Sequence, residues 1–295
     1  MSIKSPYHAH DSLIRPARLS ANPARLLLGA VMVVAIYLSL LFLFANYLPV
    51  LLGPDALQKL YDPESASYVY LLLFQFVFMI VALSMVLRTI HRRQLRSLIG
   101  RRDRALWEFW QCSRYLVPLY VFFWVLPMPE GFQLETHLRL GQWLVLLPLA
   151  LPLVMIQISA EELVFRGYLQ SQLAARFNHP IFWIGIPSLL FGLLHYSPDM
   201  AGENAWMLVV WSAVFGAAAA DLTARSGTLG PALALHFVNN VFAILLAAPQ
   251  GNLDGVALYT FPLALDDPGL PGTILPLELM VTLCAWLCCR LAIRA

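Results

Sequence analysis

Charge is what this chain has least of. Only 12% of its 295 residues are Asp, Glu, Lys or Arg, against roughly 25% in an average soluble domain. With 60% hydrophobic residues and a mean hydropathy of +0.70, the composition excludes the soluble globular and disordered classes. It reads as a polytopic membrane protein. Cysteine is scarce as well: Cys112, Cys284, Cys288 and Cys289 are the whole set. Three of them crowd one apolar segment and no CxxC pair is present, so neither a disulfide framework nor a zinc site is indicated. HExxH is missing, and no internal repeat or low-complexity tract stands out. The polar, basic N-terminus has no apolar stretch directly after its start, which argues against a cleavable signal peptide. Arg15, Arg18 and Arg25 read instead as a cytoplasmic tail ahead of the first span.

What the chain does have is long apolar runs. Eight are expected to cross a membrane, giving an all-α fold: Leu26–Leu52, Tyr68–Leu87, Tyr115–Met128, Gly141–Gln170, Ile181–Tyr196, Ala205–Leu222, Pro231–Ala248 and Thr273–Cys289. Asn178-His179-Pro180, Ser197-Pro198 and Gly227–Pro231 supply turn signals. The expected divisions are a tail over 1–25, three helices over 26–140, a core over 141–248, and an outer loop with a last helix over 249–295. Of 19 Lys and Arg, all but Lys59 and Arg139 fall in segments assigned to the cytoplasm or in the motif below. The outer segments hold Asp55, Asp62, Glu64, Glu130, Asp199 and further acids. By the positive-inside rule both termini are expected in the cytoplasm, in a cell membrane of bacterial inner-membrane type. The basic loop 88–114 follows a span directly, so its expected partner is anionic lipid and not nucleic acid.

The polar residues inside the apolar runs carry the functional signal. Gly141 to Ala160 has no charge, and Glu161 and Glu162 follow it at once. An acid at the bilayer centre costs on the order of 2.5–3.5 kcal/mol, so two in a row need a reason. Glu162 and Arg166 are four apart on one helix face with the acid first, the better order for pairing. Glu161 points about 100° aside and has no partner within the motif. His195 shares a face with Phe191, and His236 shares one with Asn240, while Asn239 is turned aside. Counted from a turn near Asn178, Glu161 and His195 lie at one level. His236, close after the Gly227–Pro231 turn, counts as more than about 10 Å shallower. The sets meet only if that turn dips into the bundle or the fourth and fifth spans extend past the bilayer. Singly, an acid–arginine pair at a span end is an interfacial salt bridge and a lone His is packing glue. Together they supply a base, an orienting arginine and neutral donors, the parts of water-driven amide hydrolysis.

Glu161-Glu162-xxx-Arg166, Phe191-xxx-His195 and His236-xxx-Asn240 match EExxxR, FxxxH and HxxxN, and on these motifs the chain resembles the CPBP family of CaaX proteases and bacteriocin-processing enzymes, also called Abi. The resemblance covers roughly Gly141 to Ala248. It implies an eight-helix intramembrane endopeptidase that cleaves a membrane-anchored protein or peptide. By that likeness Glu161 activates the attacking water with help from His195, and His236 and Asn240 stabilise the oxyanion. Glu162 and Arg166 hold the geometry, with a share in catalysis open to Glu162, and Phe191 lies at the substrate side. No cofactor is expected, a divalent metal being the alternative. The rival reading is a non-proteolytic membrane scaffold or regulator on the same fold.

Overall fold

The computed structural model describes residues 6–127, 133–251, 253–261 and 265–294. The expected end of the third span at Met128 and the outer charge Glu130 lie outside them. The architecture is all-α. Five helices are long and apolar enough to cross a membrane: α2 (Pro23–Leu51), α3 (Ala66–Thr89), α5 (Leu140–Ala174), the helical run Pro198–Ser226, whose main part is α7 (Ala205–Ser226), and α9 (Leu270–Ile293), whose candidate span is Ile274–Ile293. Two shorter apolar helices, α6 (Ile181–Leu193) and α8 (Gly230–Leu246), complete the core.

Local chemistry sets the ends. Asn22 caps α2 by accepting from the Ala24 amide at 2.9 Å, with Pro23 in the first turn. Ser65 caps α3 through the Tyr68 amide at 3.1 Å. α7 stops at Gly227, whose φ of 73° is the left-handed conformation that ends many helices. On α2 the side chains of Leu27, Val31, Val34, Leu38 and Phe42 are all exposed. Such a stripe is costly in water and unremarkable against lipid.

Two expected elements differ. The third span, expected from Tyr115, belongs to α4 (Arg102–Val125), which begins well before it. The charges between Arg101 and Arg114 suggest a loop. They instead form a polar half-helix in which Arg104 and Glu108 pair one turn apart at 2.7 Å. The N-terminal tail is not loose either. His8–His10 and α1 (Asp11–Ala17) lie against one end of the bundle, with His10, Leu13, Ala17 and Ser20 buried. At the other end β1 (Glu135–Thr136) pairs antiparallel with β3 (Tyr259–Phe261), which pairs parallel with β2 (Ala247–Pro249).

Three apolar clusters share the interior. α4, α7, α8 and α9 meet around Leu116, Phe215, Leu235 and Cys289. α2 and α3 meet α5 around Val33, Leu83 and Tyr168, and α3 packs on the first half of α5 around Val69, Val154 and Ile158. α6 and α7 approach closely at Gly192, where an added Cβ would lie 2.6 Å from the Val209 carbonyl oxygen.

Candidate active site at the double glutamate

α5 carries the site. Its first part is α-helical to Glu162, and Leu163–Leu169 then open into wide π turns, a distortion frequent at functional sites. Glu161, Glu162 and Arg166 are all buried, with Glu162 and Arg166 at 0% and 1% exposure. The expected pair forms: Arg166 Nη1 donates to Glu162 Oε1 at 2.9 Å. The guanidinium lies 4.4 Å over the Phe191 ring, which meets Phe165 edge-on at 5.1 Å. Gly216 of α7 leaves room for this packing, since a Cβ there would sit 3.3 Å from Arg166 Nη2 and from Ser188 Cβ.

His236 completes the row. Its Nδ1 lies 2.8 Å from Glu162 Oε1, and its Nε2 faces Glu161 Oε2 at 3.5 Å. The shallow depth counted for His236 is therefore corrected: the first condition for convergence is met, the second only in α5 and not in the short α6. The turn dips into the bundle: Ser226, Thr228 and Leu229 are buried, and Leu229 N–H donates to Ile99 C=O. Thr228 Oγ1 donates to the buried Glu108 carboxylate, and Ser12 Oγ donates to Gly227 C=O. α5 is also long. Its 35 residues span about 52 Å at about 1.5 Å each, well over the ~30 Å of a hydrocarbon core.

His195 lies just past the end of α6, not within it. It closes a turn in which its N–H donates to Gly192 C=O at 2.9 Å, and Pro198 two residues beyond Tyr196 starts the next helix. Its Nδ1 bonds the Phe191 carbonyl at 2.8 Å, which puts the proton on Nδ1 and leaves Nε2 with the lone pair when the ring is neutral. Phe191 touches both imidazoles, at ring distances of 4.6 Å to His195 and 6.1 Å to His236. Phe215 packs edge-on to His236 at 5.1 Å.

Asn240 reaches the site through a residue that motif reading passes over. Asn240 Nδ2 donates to Gln157 Oε1 at 2.8 Å, and Gln157 Nε2 donates to Glu161 Oε1 at 2.7 Å. Glu161 therefore has a partner one turn back. An amide four positions before an acid, in a largely apolar run, was the available signal. Asn239, turned away as expected, accepts from Tyr120 on α4 at 3.0 Å.

Two carboxylates and one guanidinium in an apolar interior are tolerable only when they pair, and here Glu161 Oε1, Glu162 Oε1 and Arg166 Nη1 are bonded. Among the described residues Glu161 Oε2, Glu162 Oε2 and Arg166 Nη2 have no hydrogen-bond partner. Glu162 thus holds both Arg166 and His236 through Oε1, while Glu161 turns Oε2 toward the imidazole Nε2. Among the described residues no set of three or more His, Cys, Asp or Glu is disposed to hold a metal ion. Glu162 and His236 turn their donor atoms to each other and not to a common point.

Residues 142–242 match a family model described as "Type II CAAX prenyl endopeptidase Rce1-like". That segment holds every residue of the three motifs and nearly coincides with the stretch that resembles the CPBP family, so the resemblance stands. Over 269 residues the chain is 24% identical to "Uncharacterized protein YyaK" of Bacillus subtilis (strain 168), covering 88% of this chain and 89% of that one. No solved structure matches the chain.

Proposed function

We propose that this membrane protein, with its Rce1-like segment over residues 142–242, is an intramembrane endopeptidase that uses Glu161 as the base for water. Its substrate is a membrane-anchored protein or peptide. The observation that carries the reading is the row Arg166–Glu162–His236, which sets His236 Nε2 3.5 Å from the unbonded Glu161 Oε2. A water held by both atoms would sit about 2.8 Å from each.

Glu162 and Arg166 orient His236. Glu161 Oε2 takes a proton as the water oxygen attacks the peptide carbonyl carbon. The Asn240 N–H not used on Gln157 is the donor for the oxyanion that forms, and His236, with Nδ1 turned to Glu162, takes part through Nε2. The proton then passes to the leaving nitrogen as the C–N bond breaks, with His195 Nε2 as the second proton carrier. Products are a carboxylate and an amine. Phe191 packs between the two imidazoles and borders the space the substrate chain would occupy. The basic stretch 88–114, whose second part is the start of α4, would hold anionic lipid.

The test is a strain lacking the gene, complemented with wild type or Glu161→Ala, with membrane-protein termini compared by mass spectrometry. New termini that require Glu161 support the reading and name the substrate. Identical termini with equal rescue of the phenotype would move the assignment to a scaffold.

A further inference from the structure

Four hydrogen bonds run head to tail through the bundle and point one way. Tyr120 OH donates to Asn239 Oδ1 at 3.0 Å, and Asn239 Nδ2 donates to Asn240 Oδ1 at 3.2 Å. Asn240 Nδ2 donates to Gln157 Oε1 at 2.8 Å, and Gln157 Nε2 donates to Glu161 Oε1 at 2.7 Å. The row crosses from α4 to α8 to α5, and Tyr120, Asn239, Gln157 and Glu161 are all buried.

An amide is polar at both ends, so a row of amides transmits an orientation. The terminal carboxylate can only accept, which obliges Gln157 to turn its NH2 group toward Glu161 and its oxygen toward Asn240. Asn240 must then donate to Gln157, and the hydroxyl of Tyr120 closes the far end as a donor. A reversed Gln157 would set its oxygen against the carboxylate and leave the Asn240 N–H facing an N–H.

We propose that Gln157 is a positioning residue for the reaction: it commits Glu161 Oε1 as an acceptor, so the proton taken from water is received at Oε2. This rests on the reading of Glu161 as the base. The two oxygens of Glu161 thereby acquire different duties. Oε1 is tied to the amide row, and Oε2 faces His236 Nε2 at 3.5 Å. The other charged or titratable groups near Glu161 are Glu162 and Arg166 of the same helix and Tyr37 of α2, which lies within range of its charge. None of these three donates a hydrogen bond to Oε1, so among them no other residue duplicates Gln157.

The test uses the full chain in membranes and in detergent, with Gln157→Leu, Gln157→Glu, Tyr120→Phe, Glu161→Gln and the exchange pair Gln157→Glu with Glu161→Gln. Three quantities are read: yield of Glu161-dependent termini, thermal unfolding midpoint, and the rate at which dicyclohexylcarbodiimide modifies Glu161. Carbodiimides add to a carboxyl oxygen, and the variant frees the oxygen that Gln157 ties up. Gln157→Leu is expected to lower cleavage about a hundred-fold and to raise Glu161 modification about three-fold. Gln157→Glu, which as a carboxylate cannot donate to Glu161, is expected to fail alike. The exchange pair restores the carboxylate–amide bond, and with it the unfolding midpoint, yet leaves cleavage lost. Tyr120→Phe, which removes one hydroxyl, keeps the fold and gives a smaller loss of cleavage, so it decides the matter if the Gln157 variants do not fold. Wild-type cleavage and unchanged modification in Gln157→Leu, or in Tyr120→Phe where only that variant folds, would overturn the proposal. Wild-type cleavage in Glu161→Gln would instead remove the base reading, while the modification rate still reports whether Gln157 holds Oε1.

Discussion

His236 bonds Glu162 through Nδ1 at 2.8 Å and turns Nε2 to 3.5 Å from Glu161. One imidazole thus stands between two adjacent carboxylates of the same helix. The two acids have different partners: Glu162 Oε1 holds both Arg166 and His236, and Glu161 Oε2 faces the other nitrogen of the same imidazole.

Glu161→Gln keeps the size of the side chain and removes the base. Cleavage is expected to fall by at least about a hundred-fold, with an unfolding midpoint close to wild type. Equal cleavage by the two proteins would sink the role given to Glu161.

Arg166→Met leaves the Glu162 carboxylate buried without its ion partner. Removing one side of a buried pair costs about 3–5 kcal/mol, so a marked fall in the unfolding midpoint in detergent is expected. Adding Glu162→Gln should recover part of it. A single variant as stable as wild type would show that the pair does not anchor the site.

The buried turn between α7 and α8 sets where His236 sits. Thr228→Val deletes the hydroxyl that donates to Glu108, a side chain only 1% exposed. Glu108 keeps Arg104 on Oε1, but the loss of the partner at Oε2 should cost about 1–3 kcal/mol, and cleavage should fall although the turn touches no reacting atom. Unchanged stability would remove Glu108 as the support of the turn.

His10 of the N-terminal segment is buried beside Trp183, with rings 5.0 Å apart. Neither ring nitrogen has a hydrogen-bond partner among the described residues. Burial pushes its pKa down from 6.5 to about 4, against a small opposing pull from Asp11. The unfolded chain binds the proton more readily, so the contribution of neutral His10 is complete above 6.5 and is lost as pH falls toward 4. Unfolding midpoints measured at about pH 7.5 and about pH 5 should therefore differ more in wild type than in His10→Leu. His91, lowered to about 4 by burial and by Arg93 and Arg25, acts in the same direction.

Gly192→Ala would place a methyl group 2.6 Å from a backbone carbonyl of α7, which no side-chain rotation relieves. A loss of about 1–3 kcal/mol is expected from overpacking. A neutral effect on the unfolding midpoint would show that α6 and α7 can part without cost.

Local rules account for what was legible in the sequence. The Glu162–Arg166 pair follows from helical spacing alone. The caps at Asn22 and Ser65 and the stop at Gly227 follow from residue chemistry. The depth of His236 did not follow, because counting from a turn presumes that turns lie at the membrane surface, and this one is held inside by Glu108, Ile99 and Ser12. The start of α4 was hidden because dense charge marks both loops and polar helices; the Arg104–Glu108 pairing separates them only in three dimensions. Gln157 was hidden because a single amide in an apolar run has no meaning until Asn240 arrives from another helix. The packed N-terminal segment was read as a tail since its buried residues, His10, Leu13 and Ala17, are too few to make a pattern.

The wide turn over Leu163–Leu169 works as a phase-setter between two faces of α5. Upstream, Glu161 and Glu162 are aimed at α8. At its end and just beyond, Tyr168 and Gln172 meet His91 at 2.8 and 3.2 Å, and Ser171 meets Arg93. An α-helix turns about 100° with each residue, so losing one residue between the two groups would swing one against the other by that angle. Variation in length is thus closed to this stretch, whatever the loops accept, and its seven residues act as a fixed gear between the acid pair and the end of the bundle covered by the N-terminal segment.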